Sequence, residues 1–572
     1  MRMTRVICIG LAAVLATTGC KRTDEARPSA GSGSGGGSAA PESGVNADAL
    51  GALSFPLTEG TPDARAHFMR GLLALHSFWY DEALREFTAA SAADPSMNMA
   101  HWGQAMSHVK ILWGEDDVMA AKMALASMPD PDKLSPYEQA WILATVALLK
   151  APDVRSSRIA FAQALDDMYM QYPDDEVMTF YAITLLSTIR PENPDNLAIR
   201  EKAAMLAAKV FAKNPHHPGA AHYLIHADDT PALASKALDA ARAYRTIAPA
   251  AFHAQHMPAH IFARLGMWSD AIESCEKAWD SSVASMQRNK LSANHADFHS
   301  LQWLVEMPFE LGHRKAADAA LAKFAMAIKA GLSRRYRGFY ASEVASYLAR
   351  TSEWNRVDEL LAPLSAAPAE DGPDVGATSS CGGAAMAAGE LGETIAVLET
   401  RARAAAMQHD IDGTKKLIGE LDAAHAQLAP TLKASQPAAV ITVLDAQSDR
   451  LKRELLARAA NDNTALIAVL RELVDAAHVD MGGESNPTAF LAEEELADAL
   501  LAAKDSPKAA EAYAHVLAEQ PSRAHSLLGA ARAATAQGDA QSAARSYAAL
   551  VTLWDSADPT TPGLDEARTS KH

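Results

Sequence analysis

The feature that most constrains this chain is a period of 34 residues. Pro215 and Pro249 stand one period apart, and Ala203, Ala237 and Ala271 recur at the same interval. Bulkier residues around Val210 and Tyr244 keep the same step, and Pro173 marks an earlier helix end. A fixed period of this length signals stacked units, each burying its apolar face only on its neighbours. An earlier unit starts near Ala64, with Gly71, Ala83, Phe87, Ala90 and Pro95 in one register, and Asn98 opens the next, which carries Trp102. Near the C-terminus, Ala509, Tyr513 and Pro521 are followed one period later by Ala543 and Tyr547, with Gly538-Asp539 at the turn. The alanines let paired helices approach closely. The prolines lack an N–H and clash with the preceding turn, so they end the second helix.

Small residues at fixed steps, one bulky partner and a closing proline form the pattern of a tetratricopeptide-repeat (TPR) hairpin. The expected fold is therefore all-α, a TPR helical-hairpin solenoid wound into a superhelix. Units are expected at about 184–217, 218–251 and 252–285, with a further one from Phe298 that has Gly312 at its turn and Ala317 on its second helix. A repeat array also explains how 572 residues form one structure without one compact core. Residues 61–355 are expected to form an N-terminal solenoid, and 356–383, rich in Pro, Gly, Ala and Ser, a loop or hinge. Residues 384–486 look helical without a clear register, 487–556 form a C-terminal TPR pair, and 557–572 are expected to be a disordered tail.

The first residues have the form of an export signal. Arg2 and Arg5 precede a short apolar run, Val6 to Ala16, too short to span a bilayer. Thr17-Thr18-Gly19-Cys20 then resembles a bacterial lipobox, although Thr17 stands where Leu is usual. On this reading 1–19 are a cleaved signal peptide, Cys20 is lipidated, and 20–60 are a lipid anchor and flexible linker, rich in Gly, Ser, Ala and Pro from Ser29 to Ser43. The other reading is an ordinary cleaved signal. Lys21 follows the cysteine where an inner-membrane retention signal would have Asp, so the expected location is the outer membrane, facing the periplasm. No later stretch is apolar enough for a transmembrane helix.

A net charge of −18 argues against nucleic-acid binding, which needs clustered Lys and Arg. Of four cysteines only Cys275 and Cys381 lie in the body, so there is no disulfide framework, and Cys275 at a packing position is a small buried hydrophobe. No phosphate loop, nucleophile elbow or haem-attachment motif occurs.

The histidines carry the functional signal. His222 and His226 are four apart, as are His256 and His260, and the two pairs are one repeat apart. Residues at i and i+4 share a helical face. In the repeat register both pairs, with His299 on a later first helix, point to the concave groove, with Trp102 and Gln302 as further groove candidates. His216, His217, His253 and His295 lie at the margins, and Asp228 and Asp229 follow the first pair. Three readings stay open. The five histidines bind a divalent transition metal, Zn or Cu; or they form a polar pocket for a peptide, protein segment or small ligand; or they are a structural hydrogen-bonded ladder. His222-Tyr-Leu-Ile-His226 is not a metalloprotease motif, and no catalytic residue is assigned.

Several stretches resemble a family of bacterial TPR proteins of unassigned activity. They include Met99 to Met106, Tyr172 to Glu176, His217 to His226, His256 to Phe262 and Gly529 to Ala534. The resemblance spans about 60–555 and implies the helical fold, but no reaction. The chain departs from the family's pattern at Val109-Lys110-Ile111, where a His-Pro is usual, and at Gln302, where an Asp is usual. The function expected first is a membrane-tethered scaffold that binds a protein or peptide partner, and the alternative is a metal-binding or metal-dependent protein.

Overall fold

The computed structural model describes residues 49–114, 116–190, 193–367, 369, 382–435, 438–477 and 492–570. The expected lipidation site, Cys20, lies outside these residues. Among those described the regular structure is helical, with no strand, and no helix is long and apolar enough to cross a membrane.

The repeat chemistry determines how the helices pair. Helix Pro62–His76 is capped by the Thr61 hydroxyl and turns at Ser77–Trp79 into helix Tyr80–Ala93. Phe87 is fully buried between them, and a Cβ on Gly71 would meet its ring at 2.9 Å. Small residues at such positions admit the bulky ring at native packing density. The second helices stop before the prolines: Tyr80–Ala93 before Pro95, Val154–Gln171 before Pro173, Asn196–Lys213 before Pro215 and Leu238–Ile247 before Pro249. A proline disfavours helical dihedrals in the residue ahead of it.

The stack runs through the middle of the chain. Helix Arg334–Thr351 packs on Gly382–Met407, with Thr400 Oγ1 donating to the Ala341 carbonyl at 2.9 Å and Arg337 Nε pairing with Glu393 at 2.9 Å. Buried apolar clusters follow one another along the array, from residues 50–404 to 395–459, 457–533 and 524–567, each overlapping the next in sequence.

Where they are described, three segments expected to be irregular carry structure; residues 20–48 of the expected linker and 370–381 of the expected hinge lie outside the described residues. From Leu50 onward the expected linker is packed, with Leu50 and Phe55 buried and Ala52 N–H bonded to the His216 carbonyl at 2.9 Å. Phe55 joins a cluster with Phe68, Trp102, Tyr137 and Trp141. Within the expected hinge, Val357–Ala366 is helical despite Pro363, because Val357, Leu361 and Leu364 bury one face. The expected tail carries helix Leu564–Ser570, held by burial of Leu564 and Ala567.

The array also returns on itself. Trp268 Nε1 donates to the Ser522 carbonyl at 2.7 Å, Ala524 N–H to Glu310 Oε2 at 2.7 Å, Trp554 Nε1 to the Glu310 carbonyl at 3.2 Å, and Asp558 N–H to the Gly312 carbonyl at 3.0 Å. The C-terminal hairpins therefore dock on turns more than 200 residues earlier.

Candidate metal centre

Two short stretches of helix position most of the histidines. Helix Pro218–Asp228 is capped by His217, whose Nδ1 accepts from Ala220 N–H at 3.2 Å, and it carries His222 and His226 on one face. The next first helix is broken into Phe252–His256 and Pro258–Arg264. Pro258 has no N–H to continue the ladder, but Met257 keeps helical dihedrals, so His253 stays on the face of His256 and His260 and lies beside His222. His299 comes from helix Phe298–Glu306.

The rings form two adjacent triads. In the first, His226 Nε2 is 2.9 Å and His253 Nε2 3.1 Å from His222 Nε2. In the second, His256 Nε2 is 3.1 Å from His260 Nε2, and the His256 and His299 ring centroids are 4.5 Å apart. Within each triad one ligand atom per residue lies within 4.8 Å of the others. The triads meet at His253 and His256, whose centroids are 6.3 Å apart.

The hydrogen bonds behind the rings decide which nitrogen faces the centre. His222 Nδ1 is 2.7 Å from the His76 carbonyl, which can only accept, so Nδ1 carries the proton and Nε2 a lone pair. His260 Nδ1 donates to Asp229 Oδ2 at 3.0 Å, and Arg264 Nε holds the other carboxylate oxygen at 3.0 Å. His256 Nδ1 meets Ser300 Oγ at 2.9 Å, and that hydroxyl gives its own proton to Asp297 at 2.6 Å. Ser300 therefore accepts, and His256 Nε2 also carries a lone pair. Carboxylate and hydroxyl partners behind metal-binding imidazoles commonly fix ring and tautomer in this way.

These rings are buried rather than spread along an open groove: His222, His226, His253, His256 and His260 are between 0 and 8% exposed. Phe78, Tyr223 and Tyr244 wall the first triad, and Trp303 packs on all three rings of the second at 4.7–5.6 Å. Burial holds the His222 imidazole down to about 3. Burial, reinforced by neighbouring imidazoles, pushes His226, His253 and His256 well below their ordinary value. Burial opposes ionisation of Asp229, but Arg264 and then His260 outweigh it and keep the carboxyl well below its usual range. Neutral imidazoles with oriented lone pairs are the form that binds late transition metals.

A third group is different in kind. Glu176 accepts from His76 Nε2 at 2.8 Å and from His217 Nε2 at 3.0 Å, and His76 Nδ1 pairs with the Tyr223 hydroxyl at 3.0 Å. Since His217 Nδ1 accepts from a backbone N–H, its Nε2 must donate. The nitrogens are spent within this network, which instead fixes the backbone carbonyl that orients His222.

Of the residues expected from the sequence, His222 and His226 join one triad and His256, His260 and His299 the other. Trp102 is apart from them and fully buried, donating to Thr145 Oγ1 at 2.9 Å, so it offers no stacking face. Gln302 Nε2 donates to Glu343 Oε1 at 3.2 Å and is likewise buried. Sequence reasoning left His253 at the margin and did not single out Ser300, Asp297 or His76. The available signal for His253 was its spacing, three before His256 and seven before His260, which puts it on the same helical face. Asp229 was visible as the acid after the first pair, although it serves the second.

No protein-family model matches the chain, and no curated protein matches it in sequence. Among solved structures it is similar to yeast Tom70, at 14% identity over 88% of this chain and 94% of that one, with a TM-score of 0.31. It is similar to Naa15/Naa10 bound to HypK-THB at 13% identity, 89% and 90% coverage and a TM-score of 0.25. The TPR domain of P58(IPK) gives 14% identity, 89% and 98% coverage and a TM-score of 0.17.

Proposed function

We propose that this protein binds a divalent late transition metal, Zn or Cu, through His256, His260 and His299, at a centre built into its repeat scaffold. One observation carries the reading. The Nε2 atoms of His256 and His260 face each other at 3.1 Å while both Nδ1 atoms donate to oxygen, so two lone pairs point at one another. That arrangement is repulsive unless a cation lies between them. Two ligands at about 2.0–2.1 Å from one ion stand about 2.8–3.4 Å apart at bond angles of about 90–109°. Three neutral nitrogens leave a further coordination position, as in sites where zinc acts as a Lewis acid.

The reading of a peptide held directly by the rings is weakened by their burial. A protein or peptide partner would meet exposed surface of the array away from the rings, stacked repeats commonly offering an extended concave face. A lipid on Cys20 of a bacterial envelope protein would hold the centre at the membrane, and Cys20→Ser would then move the protein from the membrane to the soluble fraction.

The test of the metal reading is elemental analysis of untagged protein. Copurified or added Zn or Cu should bind, and the His256→Ala/His260→Ala variant should hold one ion fewer per chain than the wild type. Less than about 0.1 ion per chain, with no gain on adding either metal, overturns the reading.

A further inference from the structure

We infer that His222, His226 and His253 hold a second ion of the same class beside the first, so that the protein carries a two-ion centre. The inference rests on the metal reading above and extends it to residues with their own evidence.

The first triad converges from two separate helices. His222 and His226 rise from one face of Pro218–Asp228, and His253 crosses from Phe252–His256. Their Nε2 atoms stand 2.9 and 3.1 Å from that of His222, the spacing of neighbouring ligands on one ion. The tautomer of the central ring is imposed from outside, because the His76 carbonyl takes the Nδ1 proton and turns the His222 lone pair toward the other two nitrogens.

The surroundings are built around these three rings. Phe78 stacks on His226 and His253 at 5.7 and 5.3 Å and meets His222 edge-on at 4.5 Å. Phe78 stands at the left-handed turn between helices Pro62–His76 and Tyr80–Ala93, at φ +54°, where Gly266 and Gly538 close other hairpins. Tyr244 stacks on His222 from another side at 5.1 Å. Neither triad includes a carboxylate or a thiolate, so both offer uncharged nitrogens, a donor set that suits Cu and Zn and disfavours Mg or Ca. Because His253 and His256 are three residues apart on one short helix, the two ions would share a wall and stand as neighbours.

A different account of the first triad is a ladder in which His226 and His253 both donate to His222 Nε2. It needs no ion there and predicts a different stoichiometry, so experiment separates the two. Untagged full-length protein, stripped with chelator, is titrated with copper(II) chloride and followed by metal analysis and electron paramagnetic resonance. Two ions per chain are expected, with the resonance at two equivalents broadened or diminished by coupling between neighbouring spins. His253→Asn, at the most exposed of the three rings, should return the protein to one ion and an uncoupled signal with helicity unchanged. His222→Ala should do the same, and His253→Asn keeps the test decisive if that variant misfolds. One ion in the wild type, retained by His253→Asn, overturns the second site and leaves the first standing. One ion lost in His253→Asn but kept in His260→Ala supports binding by the first triad, and it overturns both the two-ion centre and the assignment of the ion to the second triad. No binding overturns both readings.

Discussion

The main-chain carbonyl of His76 accepts the Nδ1 proton of His222 at 2.7 Å, so the end of the first helix sets the tautomer of a ring 146 residues later. The His76 ring is itself locked between Glu176 and Tyr223. The orientation of His222 is therefore a property of three hairpins.

Gly219 tests that coupling. A Cβ there would collide with the His76 ring at Nδ1. Gly219→Ala should destabilise the N-terminal solenoid by about 1–3 kcal/mol, the usual cost of overpacking. Thermal unfolding followed by circular dichroism should show a lower midpoint, and metal binding by the first triad should weaken more than binding by the second.

Asp229 acts on the other triad from behind. Asp229→Asn keeps the shape of the side chain but removes the charge that His260 and Arg264 share. Metal affinity at His256, His260 and His299 should fall by about 10–100-fold, as for other partners behind ligating imidazoles. Competition with a chromophoric chelator measures it. Unchanged affinity would mean that His260 is not a ligand.

The chain's return on itself should be sensitive to acid. Burial raises Glu494, but Arg523 and then His525 outweigh it and hold the carboxyl down to about 2 from an ordinary 4.5. A lowered carboxyl contributes stability above its unfolded value and loses it as pH falls through the folded one. Roughly 3 kcal/mol should therefore vanish between about pH 4.5 and 2. Limited proteolysis with an acid-active protease across this range should show new cleavage in the C-terminal hairpins. Glu494→Gln should flatten the dependence.

Arg523 sits at the same junction, with Glu494 at 2.6 Å and Glu310 at 3.8 Å. Arg523→Ala takes the cation from between two buried carboxylates, which should cost about 3–5 kcal/mol. Trp268, bonded to the Ser522 carbonyl, should become solvated, and its emission should shift to the red.

Much of the architecture is legible in the sequence because its causes are local. Ala83, Phe87 and Pro95 state how two helices pack and where one stops, and Ala203, Val210 and Pro215 do the same, repeated one period on by Ala237, Tyr244 and Pro249. The site was half legible. The i,i+4 pairs announce a shared face, but the repeat register places that face in an open groove. Covering the rings depends on Phe78 in a left-handed turn and Trp303 on a later helix, neither of which the period encodes. His253 was legible too, three residues before His256 and seven before His260 on one helical face, but it was left at the margin. The docking of the C-terminal hairpins was invisible for a further reason: much of it is made by backbone carbonyls, such as those of Ser522, Glu310 and Gly312, and any residue type supplies one.

A row of stacked hairpins ordinarily frays from whichever end is loosest, one unit after another. Here the last units clasp turns near the middle, so that end cannot peel away without tearing Trp268 and Trp554 from their bonds. The loop so formed, from about residue 268 to 558, should melt as a single cooperative block, much as a zipper sewn shut at both ends must fail all at once.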